Sequence, residues 1–218
     1  VLTGVARGIG AAATFAPVDE ALLKHVTRLT GTPMAFSPMW TPDPDASYEK
    51  VVSIDISTEL REPQVRCYGR MEGVFPLSQV VDKRVHLAVI GSCSNGRSED
   101  LAAAADVLTG RRVHAGTRLL VIPASQQIYL DASRHGYLQV LAAAGAVHHP
   151  PGCGAMTNTR HGKHAAGEAC MSATSCSFYP GKSWTRQEIY EANPALVAAA
   201  AAAGRIVHPD DVVEEAVA

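Results

Sequence analysis

Two short runs of almost unbroken apolar residues, His86-Leu87-Ala88-Val89-Ile90 and Leu119-Leu120-Val121-Ile122, constrain the fold most. A strand with one wet face alternates apolar and polar side chains, whereas a strand apolar throughout is covered on both faces. Between the runs, Ser98 to Leu108 carries the spacing of an amphipathic helix. After the second, Ser125 to Ala144 reads as another helix closed by Gly145, and Ala146-Val147-His148 as a third, short strand. Buried strands with helices between them call for parallel crossovers, so the expected fold is α/β, a three-layer αβα arrangement around a mostly parallel, doubly wound sheet.

The flanks are less regular. Val18 to Leu29 has a helical apolar stripe with Asp19 and Glu20 in its first turn, and Gly31-Thr32-Pro33 stops it. Ser37 to Ala46 carries Pro38, Pro42 and Pro44 and reads as a loop, and the β-branched stretch Val51 to Ile56 reads as a strand. Pro150 to Trp184 is irregular and rich in Gly and Cys; Pro194 to Ala203 is a helix ended by Gly204, and Ile206-Val207 a last short strand. A long irregular segment in a compact domain is usually functional, so chemistry is expected within 150–184.

Composition narrows the function classes. Hydrophobic residues make up 47% of the 218 but aromatics only 6%, so alanine must fill much of the core. With 19 basic and 21 acidic residues the net charge is −2, and there is no basic stripe of the kind that coats nucleic acid, which is therefore not an expected partner. The longest apolar run, Ala195 to Gly204, is mostly alanine and too short to span a bilayer, and Val1-Leu2-Thr3-Gly4 does not open a signal peptide, so no membrane association is expected. Five cysteines, an odd number without disulfide spacing, favour a cytoplasmic protein that uses thiols for packing, metal or catalysis.

Thr3-Gly4-Val5-Ala6-Arg7-Gly8-Ile9-Gly10 imitates the glycine turn of short-chain dehydrogenases. That turn needs a strand before it, and only two residues precede it here. No Tyr is followed four residues later by Lys, so the catalytic pair of those enzymes is missing and the pattern is set aside.

The loop after the first buried strand is Gly91-Ser92-Cys93-Ser94-Asn95-Gly96-Arg97. It lies at a strand's carboxyl end and opens onto a helix, where open α/β sheets place their ligands and where a thiol is favoured as thiolate. A second cysteine follows the third strand in Pro151-Gly152-Cys153-Gly154, and the topology lets the two loops converge.

With these motifs the sequence resembles the aconitase superfamily, in particular the large subunits of isopropylmalate isomerase and homoaconitase. Ile90 to Leu101 is similar to that family's IGSCTNGRxEDL, Val121 to Gln127 to VxPGSQQ, Pro151-Gly152-Cys153-Gly154 to its PGC loop, and Gly167 to Ser172 to GExCxST. The likeness also takes in Ala16 to Glu20, Ile54-Asp55-Ile56, Glu62 to Val65 and Asn193-Pro194-Ala195. It spans this whole chain but only the second half of a family large subunit. It implies two parts: residues 1–84 as a partial α/β domain whose remainder lies upstream or on another chain, and 85–218 as the cysteine-bearing α/β domain.

The resemblance implies a [4Fe-4S] cluster on three cysteines, with an open iron as Lewis acid for a hydroxy-polycarboxylate. Cys93 and Cys153 match two of the ligands. The third position, three residues after the second, is Met156, and a neutral thioether is a poor substitute for a thiolate, so the usual ligand set is broken. The family's Asn-Arg-Asn falls on Ser175-Cys176-Ser177, its downstream arginine near Lys182, and its early glutamate at about Gly8. Departures gather at reactive positions while the scaffold motifs persist, as in a repurposed or lapsed site.

Three readings stay open. The first is a hydro-lyase or isomerase subunit with Cys93, Cys153 and Cys176 as metal ligands, Ser92, Asn95, Cys176 and Lys182 as catalytic groups, and Arg97, Ser125, Ser175 and Ser177 binding substrate. The second keeps a thiol, Ser and Lys site without a cluster; His148, His149, His161 and His164 could then supply imidazoles to a single metal, though loop histidines are more often merely solvated. The third is a non-catalytic partner subunit. In each, an upstream large-subunit half and a small swivel subunit are the expected partners, as separate chains. Cys67 and Cys170 read as structural.

Overall fold

The computed structural model describes residues 11–37, 41–59, 61–69, 71–153, 165, 167–174 and 188–212. The two apolar runs form β3 (Leu87–Ile90) and β4 (Arg118–Val121), paired in parallel with Leu87 beside Arg118 and Ile90 beside Val121. β5 (Val147–His148) extends the sheet beyond β4, while β6 (Ala169–Ala173) and then β7 (Glu188–Glu191) extend it beyond β3, all parallel. The hairpin of β1 (Gln64–Tyr68) and β2 (Gly73–Pro76) closes the other edge, β1 running antiparallel to β7. The order is β2-β1-β7-β6-β3-β4-β5, a mostly parallel sheet of an α/β protein, as its sequence led one to expect.

Alternation along each strand divides the core. Ala88, Ile90, Leu119, Val121, Met171 and Tyr190 pack in one cluster with the helices, while Leu87, Val89, Leu120, Ile122, Cys170 and Ile189 form a second, smaller one. Over the first face lie α3 (Ser98–Leu108), α4 (Gln126–Arg134), α5 (Tyr137–Ala143) and α6 (Pro194–Ala203). Leu196 to Ala201 of α6 are fully buried, and its alanines let it settle against α3 and β3. Asn193 caps α6 by accepting from the Leu196 amide at 2.9 Å, and Gly204 ends it in the left-handed region.

α1 (Glu20–Thr30) forms as its stripe and caps require: Asp19 accepts from the Leu22 amide at 2.8 Å and Gly31 turns left-handed at φ 70°. Elsewhere the structure corrects the reading. Val51 to Ile56 is not a strand; it runs without regular structure into the one-turn α2 (Ile56–Glu59), with Val51, Val52, Ile54 and Ile56 all exposed. Among the described residues no strand runs beside it, and a β-branched run without a ladder partner gains nothing from extension.

The helix expected from Ser125 to Ala144 is two helices, because Gly136 adopts φ 80° between α4 and α5. Ile206-Val207 is not a strand: its backbone bonds are single ties, Asp82 N–H to Ile206 O and Ile206 N–H to Lys83 O. The stretch 150–184 is not irregular throughout, since β6 lies inside it with all five residues buried. β1, β2 and β7 were likewise not expected. Through the hairpin, and through Val65, Cys67, Leu77 and Val80 in the main core, residues 64–80 share the sheet and core of the segment beyond 85.

Candidate functional site at the carboxyl edge of the sheet

The chain leaves β3 at Ile90 and must turn sharply before α3. Gly91 and Gly96 make the turn with φ of 87° and 75°, and their Cα atoms face the carbonyl oxygen of Ile122, just past β4. A Cβ on either glycine would overlap that oxygen, so only glycine fits. Ser92 N–H donates to Asn95 O at 3.3 Å, and Ala124 N–H to Gly96 O at 3.0 Å. Asp100, in the first turn of α3, accepts from the amides of Gly96 (2.9 Å) and Arg97 (3.0 Å) with one carboxylate oxygen. The Cys93 loop is thus tied at both ends.

Cys153 reaches the same edge by another route. β5 pairs with β4, His149 N–H donates to Val121 O at 2.9 Å, and Pro150-Pro151-Gly152 then leads to the cysteine. Cys93 Sγ and Cys153 Sγ come to 3.4 Å, sixty residues apart in sequence, and both are exposed thiols. The two cysteines singled out in the sequence are therefore brought together.

The other expected site residues fall as follows. Ser92 is fully buried, its hydroxyl 3.3 Å from that of Ser94 and accepting from the Ser94 amide at 3.4 Å, so it props the loop from within. Asn95 is half-buried, and its Oδ1 accepts from the Ser94 hydroxyl at 3.3 Å. Arg97 is exposed at the start of α3. The Ser125 hydroxyl is the N-cap of α4, accepting from Ile128 N–H at 3.3 Å. Met156, His161, His164, Ser175, Cys176, Ser177 and Lys182 lie outside the described residues.

Sequence reasoning passed over three polar residues at this edge. Asp100 holds the loop, and a carboxylate two places into a helix after a Gly-Arg turn is the signal that could have found it. Ser172 and Thr174, both buried, share a hydroxyl–hydroxyl bond of 3.0 Å where β6 ends. Ser172 closes the Gly167 to Ser172 motif, which is the signal that could have found it, whereas nothing in the sequence sets Thr174 apart.

The remaining thiols are shut away. Cys170 is fully buried in β6, and burial pushes its thiol up to about 12; burial likewise raises Cys67, in β1. Neither is poised as a nucleophile or ligand. At the end of β5, desolvation first and the neighbouring His149 second hold His148 below its ordinary value, which favours the neutral ring. Among the described residues no three His, Cys, Asp or Glu gather as a metal site. For a cluster, the described residues thus supply two convergent, exposed thiols, a donor pair of the right chemistry with one position still to be filled.

The family model for the aconitase family (aconitate hydratase) matches residues 67–204. Over 209 residues the chain is 41% identical to the 3-isopropylmalate dehydratase large subunit 1 of Methanopyrus kandleri, covering 95% of this chain and 49% of that one. It is 44% identical over 181 residues to the homoaconitase large subunit of Thermus thermophilus, covering 83% and 43%. With the 3-isopropylmalate dehydratase large subunit of Desulfatibacillum aliphaticivorans the figures are 43% over 173 residues, covering 79% and 41%. The chain spans less than half the length of these relatives.

Proposed function

Because the chain belongs to the aconitase family, we propose that it is the cysteine-bearing part of a hydro-lyase or isomerase acting on a small hydroxy-polycarboxylate. The observation that carries this reading is the 3.4 Å approach of Cys93 and Cys153 at the carboxyl edge of the sheet. Cys93 and Cys153 would hold an iron–sulfur cluster. Of the three remaining cysteines, Cys67 and Cys170 are buried, which leaves Cys176 for the position that Met156 vacates. When bound, such a cluster supplies a Lewis-acidic iron that makes hydroxide a tolerable leaving group.

The chain's own residues then bind and orient. The exposed Arg97 guanidinium, five bonds' worth of donors in a fixed fork, suits a substrate carboxylate beside Cys93. Lys182 would add a second cation and Ser175 and Ser177 hydroxyl donors, by their place in the sequence. Asn95 would present its amide to the substrate, Ser125 would spare its proton while its oxygen caps α4, and Ser92 would act by keeping the loop in shape.

Partners follow from the same reading. The described residues before 60 expose Phe15, Leu29, Val51, Ile54 and Ile56, apolar side chains that a partner chain could cover, which supports an upstream large-subunit half and a small swivel subunit as partners. Among the described residues no helix is long and apolar enough to cross a membrane. Five cysteines, an odd number without disulfide spacing, support a cytoplasmic setting.

Met156 favours a second reading, a site of the same geometry that works without a cluster through thiol, Ser and Lys groups, or a partner subunit without catalysis. Assembly with a complementary large-subunit half and small subunit, followed by an assay for the unsaturated acid formed on loss of water, tests the proposal. Activity that disappears in Cys93→Ser supports it. Full activity in that variant excludes a cluster ligand at Cys93, and no activity in any assembly favours the non-catalytic reading.

A further inference from the structure

We propose that Cys93 and Cys153 are a reversible dithiol–disulfide site whose reaction partner is a low-molecular-weight disulfide. Geometry carries the inference and it holds apart from any metal. The two sulfurs lie at 3.4 Å, so bond formation needs an approach of about 1.4 Å to reach the 2.03–2.05 Å of a disulfide.

Both loops are tied to the sheet beside their cysteines. Gly91, Gly96 and Asp100 hold one loop, and the β4–β5 pairing with the His149 amide holds the other, so the encounter is built into the sheet. Both residues are exposed, within reach of a small reagent, whereas Cys67 and Cys170 are buried and excluded.

The chemistry balances with one co-reactant. One thiolate attacks a sulfur of the small disulfide RSSR; a new S–S bond forms, the old one breaks and RS⁻ leaves. The second protein thiolate attacks the protein sulfur of that mixed disulfide and expels the second RS⁻. Two protein thiols lose two electrons, the small disulfide gains them, and the two protons end on two RSH. A reduced small thiol in excess reverses both steps.

The test uses the whole chain, shown to be iron-free by metal analysis, treated with glutathione disulfide without denaturant, then alkylated, digested and read by mass spectrometry. The expected product is a cross-link joining the Cys93 and Cys153 peptides, free of glutathione and reversed by dithiothreitol. Cys153→Ser should instead leave one glutathione on Cys93, and Cys93→Ser one on Cys153. Glutathione on both cysteines of the unmutated chain without a cross-link would overturn the proposal. So would absence of reaction at either cysteine under conditions where the urea-unfolded chain reacts.

Discussion

The carbonyl oxygen of Ile122 occupies the space that a side chain at Gly91 would need: a Cβ there would overlap it and lie 2.8 Å from the Cα of Gly96. The approach fixes where the Cys93 loop begins. Gly91→Ala combines this overlap with a left-handed backbone, and its expected cost is about 2 kcal/mol or more. Urea unfolding measures it, and an unchanged midpoint would show that the loop can move away.

Asp100 carries no expected chemistry, yet its carboxylate receives the amides of Gly96 and Arg97. Asp100→Ala should cost roughly 1 kcal/mol, the size of a lost helix cap, and should also slow cross-linking of Cys93 to Cys153 by a short dithiol-specific reagent. Asp100→Asn should recover part of both. A loss of stability without change in cross-linking would confine Asp100 to capping α3.

Alkaline pH should weaken the fold through Cys170. Its folded value of about 12 lies above the ordinary 9.0, so burial favours the neutral thiol. Stability from that preference is complete below pH 9 and is lost as pH rises toward 12, because only the unfolded chain releases the proton in that window. Urea midpoints at pH 8 and pH 10 should fall with pH, and Cys170→Ala should flatten the fall. Tyr68 adds to it from about pH 10: burial and then the Glu191 carboxylate, which accepts its hydroxyl at 2.9 Å, raise it further.

Acid acts through His148 with the opposite sign. Its folded value is depressed below the ordinary 6.5 by desolvation, then by His149, so its contribution is complete above pH 6.5. As pH falls below that, the unfolded chain takes up a proton that the folded chain refuses, and stability drops. His148→Gln should reduce the slope of stability against pH between 6.5 and 5. An equal slope in both proteins would locate the acid sensitivity elsewhere.

β3, β4 and α3 were legible because burial on both faces writes an unbroken apolar run and the crossover helix writes its own period. β6 was not, since in Ala169-Cys170-Met171-Ser172-Ala173 only Met171 is a large apolar side chain, and the small residues around it are buried by the packing on both faces of a strand held between β3 and β7. β7, Glu188-Ile189-Tyr190-Glu191, looks polar because its acids serve tyrosine hydroxyls, Glu191 accepting from Tyr68 and Glu188 from Tyr190. Val51 to Ile56 misled in the other direction, as β propensity describes fit to a sheet and that stretch has no neighbouring strand among the described residues. At the site, the meeting of Cys93 and Cys153 could be read from topology, whereas the role of Asp100 depends on where two amides point.

Iron and acid-labile sulfide in protein reconstituted without oxygen test the cluster at Cys93 and Cys153 most directly. The expected result is a brown protein with absorbance at about 400 nm and about four irons per chain, sharply reduced in Cys93→Ser, Cys153→Ser and Cys176→Ser. A colourless, iron-free chain after the same treatment would contradict it.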